Sequence, residues 1–592
     1  MDDAHRGRMA PALHALKPGA PPRPSAGLLR WAPALTVAAF VAPIACGLIG
    51  TLLPAFGYLP ALGGERLGLD AWRALLHMPG FATSLQSTLL TGWAATLLSV
   101  LLAFAVAGAL HQRAGDRRLG ALLAPLLAMP HAALAIGMAF LLLPSGWLVR
   151  WVSPGLTGWT VPPDVATVGH PSGWPLVLVL VMKEVPFLLL MVASALHQVR
   201  APAQLAAARA LGYGPVQAWF KVVMPQIYPQ IRLPVYAVLA FSLSVVDVAM
   251  VLGPNNPPTL AVQAVRWFAA PDVQLVFPAA AAATLLLGVV VASIGAWRLA
   301  EIALQPLLLR WLERGARSGA LVPLARTGAG LSALLALLAL LALLGLLLWS
   351  VAAPWRFPEA LPPALTLQTW QRQAAQLAQP AWNTLAIGVA STLLALVLVL
   401  GCLENEAHAA RPHTTGRAGP ARSLWLLYVP LLVPQVAFLF GLQVLLVRFG
   451  WDGTVAAVVW AHLVFVLPYL FLALADPWRA FDSRYARAAA SLGASPWRVF
   501  WRIKLPLLLQ PLLVACAVAF AVSVAQYLPT LFAGAGRVAT LTTEAVTLSS
   551  GADRRVIGTW AVLQALLPLL AYALAAGIPR LLQRQRQRRR RA

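Results

Sequence analysis

Runs of about 20 apolar residues, the length a helix needs to cross the hydrocarbon core of a bilayer, recur along almost the whole 592-residue chain. No soluble fold tolerates that pattern. The composition agrees, because 60% of residues are hydrophobic and only 11% are charged, against roughly 25% charged in soluble domains. The fold class that follows is an all-α polytopic membrane protein.

Twelve spans can be drawn, at about 31–54, 84–110, 119–143, 174–196, 233–253 and 276–297, then 328–352, 383–403, 424–447, 455–475, 507–533 and 556–577. Orientation follows from Lys and Arg, which accumulate in cytoplasmic loops. With both termini inside, the inside segments hold 33 of the 44 Lys and Arg residues and the outside loops hold 10. The expected topology is therefore multi-pass with cytoplasmic termini, and 298–327 is a cytoplasmic linker.

The net charge of +25 and the run Arg588–Arg591 invite a nucleic-acid reading. A basic segment beside a final span anchors that end at anionic lipid instead, so no nucleic-acid partner is expected. Cys46, Cys402 and Cys516 have no metal spacing and read as small core residues. The first 30 residues, basic and rich in Pro and Ala, read as a cytoplasmic tail followed by a signal anchor.

The chain repeats itself. Ser87-Thr88-Leu89 matches Asn383-Thr384-Leu385; Pro125, Pro130 and Gly137 match Pro430, Pro434 and Gly441; Pro186-Phe187 matches Pro468-Tyr469. After the fourth and tenth spans, Leu205 to Gly212, Pro215 and Pro225 match Ala486 to Gly493, Pro496 and Pro506, with every landmark offset by 281 residues. Six spans separate the copies, which makes the repeat parallel. Each Ala-rich segment, 203–211 and 484–492, favours a short helix. Gly212 and Gly493 stop it in the left-handed conformation. Gly214 and Ser495 then cap a second helix that begins at Pro215 or Pro496. That helix carries Trp219-Phe220 or Phe500-Trp501, a pairing suited to the membrane interface.

This loop resembles the EAA loop of binding-protein-dependent ABC importer permeases, the MetI-like fold. Ala207-Ala208, Gly212, Val222 and Met224-Pro225 fill its pattern once, and Ala488-Ala489, Gly493, Ile503 and Leu505-Pro506 fill it again. The motif's leading glutamate is missing from both copies, replaced by Ala206 and Arg487. The resemblance implies permease domains at 84–298 and 380–580. Around them lie a tail (1–30), a first span with external loop (31–83), a linker (299–327), a seventh span with external loop (328–379) and a basic tail (581–592). It further implies two copies of a cytoplasmic ATPase docked at the loops, a periplasmic binding protein, and a substrate such as iron(III) or thiamine, the latter on the strength of Asp247 and the Leu252–Pro258 segment.

No nucleotide site is visible, because none of Lys17, Lys183, Lys221 and Lys504 follows a glycine as a phosphate loop requires. ATP and Mg therefore belong to the partner ATPase; no cofactor, metal or catalytic residue is expected in this chain. Lys183-Glu184 in the fourth span and Asp247 in the fifth are the substrate-path candidates, since intramembrane charges normally face the bundle interior. A depth difference of roughly 6 Å would let Lys183 reach Asp247, so a structural ion pair is the competing reading. Gln526 and Tyr527 occupy the neighbourhood of Asp247 in the second copy, while His462, Gln435 and Gln443 suit helix–helix hydrogen bonds. A twelve-span secondary carrier of the major facilitator type is the rival class, prompted by Gly115–Gly120.

Overall fold

A computed structural model describes residues 28–110, 129–196, 198–317, 319–409, 428–551 and 553–591. The first half contributes α1 (Ala32–Ala55), α2 (Phe81–Leu110), α3 (His131–Leu142), α4 (Trp174–Leu196), α5 (Ala201–Ala210), α6 (Met224–Ser244), α7 (Asp247–Leu252), α8 (Leu260–Phe268) and α9 (Val276–Glu313). The second half repeats them as α10 (Leu321–Ser350), α11 (Gln368–Ala409), α12 (Gln435–Arg448), α13 (Val455–Arg479), α14 (Ser483–Ser491), α15 (Leu509–Val524), α16 (Leu528–Gly534), α17 (Leu541–Leu548) and α18 (Arg554–Arg591). Nine of the described helices are long and apolar enough to span a membrane, and the pair Pro496–Leu507 and Leu509–Val524, bent by 75°, makes a tenth.

Among the described residues, the expected span 424–447 is interrupted at Val433–Pro434, just before α12, and two further expected spans are not continuous. The stretch 233–253 breaks at Val245–Val246 between α6 and α7, and 507–533 breaks at 525–527 between α15 and α16. Val245 is extended, with ψ 136°. Irregular backbone at membrane depth is tolerated only where protein buries it or a cavity needs it. Both breaks are indeed buried, at Val245, Val246, Gln526 and Tyr527.

The halves exchange their first spans. Helix α1 packs on α12, α9 and α11, and α10 packs on α3, α18 and α2, the same arrangement nine helices on. Matched glycines make these crossings possible. Gly441 of α12 faces the backbone of Gly47 and Gly50 on α1 and donates its N–H to Thr51 Oγ1 at 3.0 Å. Gly137 of α3 faces Ala342 of α10. Small residues let membrane helices approach to backbone contact, where dispersion supplies the adhesion that lipid cannot.

Helices outrun the apolar runs on the side that carries the 205–225 and 486–506 loops, called the loop side. Helix α9 continues to Glu313, so only 314–320 separates it from α10. Helix α18, also 38 residues, continues to Arg591 through the expected tail. Of the three cysteines, Cys402 donates to Thr36 Oγ1 at 3.1 Å, while Cys46 is exposed on α1 and is not a core residue. Residues 1–27, Gly115–Gly120 and Pro125 lie outside the described residues.

Candidate functional site

The two loops fold as their sequences dictate. Gly212 and Gly493 have φ of 86° and 81°. In each copy the glycine N–H bonds back to Arg209 O or Ala490 O, and the next N–H reaches Ala208 O or Ala489 O, at 2.9–3.1 Å. These are the paired bonds of a Schellman cap. The motif's two alanines thus divide their work: Ala208 and Ala489 are buried and supply the cap carbonyl, while Ala207 and Ala488 face out. Ser495 caps the second helix, and Pro215 and Pro496 open it. A π turn follows in both, at Trp219–Val223 and Phe500–Lys504. Pro225 lies in the first turn of α6; Pro506 ends the segment where the chain turns by 75° into α15.

Their surroundings differ. In the first copy the end of α9 and the linker lie over the second helix. Gln217 Nε2 donates to Ala316 O at 2.6 Å, and Lys221 Nζ donates to Trp311 O at 3.0 Å and to Arg314 O. Trp219 is fully buried, packed near Phe104. In the second copy the brace comes from α11: Lys504 pairs with Glu404, which also accepts Trp478 Nε1 at 2.9 Å. The outward face stays open there. Trp497 is 71% exposed, whereas its counterpart Val216 is 8% exposed.

Within the membrane, Lys183 and Glu184 are both buried on α4. The competing reading, an ion pair between Lys183 and Asp247, is not among the ion pairs of the described residues. Lys183 Nζ instead donates to Met129 O at 2.6 Å. The reason is local. Pro130 caps α3 and its carbonyl takes the first helical bond, from Leu134 N–H, which leaves Met129 O outside the ladder in a buried place. A buried carbonyl needs a donor. Asp247 is the first residue of α7, half-buried at the break. That is where a helix dipole favours an anion.

These first-half charges meet phenols of the second half. Glu184 lies within electrostatic range of Tyr469, and Asp247 within range of Tyr527. Close by, Phe268 stacks on Phe440 with centroids 4.2 Å apart and meets Phe532 edge-on. The 281-residue offset places Leu528, not Gln526 or Tyr527, opposite Asp247, since Val246 and Tyr527 both cap the outer half-helix. Gln526 is buried within the second break and its carbonyl accepts Thr530 Oγ1. His462 is a satisfied core residue, bonded to Ser523 Oγ at 2.8 Å and Thr530 Oγ1 at 2.9 Å across that break. Gln435 and Gln443 are half-buried on α12.

Two features escaped the sequence reading. Thr88 Oγ1 accepts Leu260 N–H at 2.8 Å and donates to Ser84 O, and Thr384 Oγ1 accepts Leu541 N–H at 2.9 Å and donates to Pro380 O. The repeated Thr-Leu pair is therefore a knot that holds the first residue of α8 or α17 against α2 or α11. Its meaning is invisible locally, because the partner lies more than 150 residues away. The second feature is Glu301 of α9, which accepts Tyr228 Oη at 2.6 Å and Arg298 at 2.8 Å, with Arg232 Nε at 2.9 Å. Here a signal existed: Tyr228, Arg232 and Tyr236 recur every four residues along one face of α6.

On the side away from the loops, Arg150 and Arg554 both donate to Ser145 O and both lie against the Trp349 ring. A cavity of about 330 Å³ opens beside Arg554, between α3, Val251 of α7 and α18. Among the described residues, no group of three or more His, Cys, Asp and Glu side chains is placed to hold a metal.

The sequence of this chain matches the family model described as binding-protein-dependent transport system inner membrane component over residues 416–591. It is 34% identical over 550 residues to the inner membrane ABC transporter permease protein YnjC of Escherichia coli K12, covering 93% of this chain and 96% of that protein. It is 32% identical over 187 residues to the molybdenum transport system permease protein ModB of Mycobacterium tuberculosis, covering 29% of this chain and 70% of that one.

Proposed function

The chain belongs to the inner-membrane ABC permease family of binding-protein-dependent transport, and from that premise we propose that it is a fused two-domain importer permease driven by a separate ATPase dimer. The family assignment displaces the secondary-carrier alternative. The loop side is the cytoplasmic side, with both termini there. Each loop seats in a cleft of one ATPase subunit, which binds ATP and Mg; a periplasmic binding protein delivers a small solute to the opposite face.

The observation that carries this reading is the duplicated loop, identical in backbone design and differently braced. ATP-driven closure of the ATPase dimer moves both loops. In the first half the Glu301 contacts tie α6 to α9, so motion of the loop is passed to two spans at once. In both halves the loop leads directly into a span that breaks near the half–half interface. Broken spans at such depth are where transporters hold substrate. Lys183, Glu184 and Asp247 of the first half, with Gln526 at the break of the second, line the path in this reading.

The substrate is a small solute, with thiamine or iron(III) the first candidates; relatives named for molybdenum transport add molybdenum to the panel. Uptake by proteoliposomes containing the chain, the ATPase and the binding protein tests the proposal. Transport must require internal ATP and stop with vanadate. Uptake that persists without hydrolysis refutes it.

A further inference from the structure

The two loops share a chemical peculiarity beyond the missing glutamate. Residues 199–224 contain no Asp or Glu, and residues 480–505 contain one, Asp482. Asp482 is taken by Arg484, which it meets through both its N–H and its Nε at 2.9 and 2.7 Å. Arg487, standing where the motif has glutamate, is exposed on α14 with no carboxylate within 4.0 Å among the described residues. In the first copy that position is Ala206, yet a guanidinium arrives from elsewhere. Arg317 of the linker lies against the Gly212 turn and over the Tyr213 ring at 5.7 Å, itself exposed and without an ion-pair partner among the described residues. Beside each turn an apolar knob also stands in the open: Leu211 is 63% exposed and Leu492 is 88% exposed.

We infer that docking in this protein is charge-inverted: each loop presents an exposed leucine at its turn and a guanidinium, Arg317 in the first half and Arg487 on α14 in the second, to an acidic rim on the ATPase cleft. This rests on the reading that the loops dock an ATPase. An apolar centre with a polar rim, Arg enriched, is the usual anatomy of a protein contact. Anionic lipid is the competing occupant. Lipid attraction is served by any Lys or Arg near the surface and needs neither an exposed leucine at the turn nor a linker folded back to deliver Arg317. The two guanidiniums are not at equivalent places, because Arg487 precedes Gly493 by six residues, about 9 Å along a helix. The two clefts therefore meet different cations, and the linker is part of the first docking surface.

The test is association of the full-length chain, in nanodiscs, with the purified ATPase that supports its uptake in proteoliposomes, measured by biolayer interferometry at low and high salt. Arg317→Glu and Arg487→Glu are each expected to weaken binding about tenfold, the double variant more, with the wild-type affinity falling as salt rises. Arg584→Glu, an equal charge change on the exposed end of α18, is expected to stay within twofold. An acidic-to-lysine change on the ATPase rim should restore binding to Arg487→Glu. Tighter binding by Arg487→Glu, which recreates the family's glutamate, overturns the inference. So does a loss of binding to phosphatidylglycerol vesicles with unchanged ATPase affinity. Failure of the wild-type chain to bind the ATPase at all sinks the importer reading itself.

Discussion

The two docking loops are built alike and housed differently. Both end their first helix on a left-handed glycine, with the same pair of backbone bonds, and both pass through a π turn into the next span. Yet the first is roofed by Trp311–Arg317, held by Gln217 and Lys221, while the second leaves Trp497 and Trp501 open and leans on Glu404. The comparison separates what duplication conserves from what it frees. A cap depends on a few neighbouring residues, so any copy that keeps Gly and the Ala run keeps the shape. Bracing depends on side chains from distant helices, and those have diverged.

The same contrast runs through the membrane. The exchanged first spans and the threonine knots are duplicated, whereas the charges are held by one half. Four experiments can break or sharpen this division. The largest effect belongs to the crossings: Gly441→Val forces a side chain into the backbone of α1, and Gly137→Val into α10. Overpacking costs roughly 1–3 kcal/mol and sometimes more; Gly441→Val should abolish recovery of monodisperse protein in detergent, with Gly137→Val the milder of the two. Equal, negligible losses would show that the crossings are not tight.

Next comes the asymmetry of the path. Asp247→Asn should lower reconstituted uptake at least tenfold at unchanged expression, while Gln526→Ala in the second half should lower it less than threefold. The reverse order would move the path to the other half. Third, Lys504→Ala should reduce stability by about 1.5–3 kcal/mol, the usual worth of a hydrogen bond to a charged group, read as a lower thermal midpoint in detergent. Lys221→Ala should cost less, since the carbonyls it leaves at 311 and 314 can turn to water, but it should open 311–317 to limited proteolysis. The smallest effect is also the most symmetric. Gly212→Ala and Gly493→Ala each place a Cβ in the left-handed region, at about 1–2 kcal/mol, and should shift the thermal midpoint equally.

The sequence carried much of this, and the reasons for its gaps are physical. The loop was readable residue by residue because Gly212, Pro215 and their repeats act on their own backbone. Hydropathy located the spans but not the breaks: at Val245–Val246 no Gly or Pro stands beside the point where the helix stops, and at Gln526 the signal was Pro529 in the first turn of α16, inside a run that stays apolar. It also missed how far α9 and α11 extend, because their polar ends lie beyond any apolar window. Lys183 held a contact the sequence could not show, for a different reason. Charge invites a search for opposite charge, but one of its partners is the carbonyl of Met129, and backbone acceptors leave no trace in composition. The exchange of α1 and α10 was hidden too, although the matched glycines at 137 and 441 already marked the contact points.

Stoichiometry probes the central claim most directly. If the chain is one fused permease with two docking loops, native mass spectrometry of the assembled complex should give one copy of this chain with two copies of the ATPase. Gly493→Pro, which removes the left-handed cap from the second loop alone, should reduce the complex to one ATPase. A wild-type complex holding a single ATPase, or none, would contradict the account.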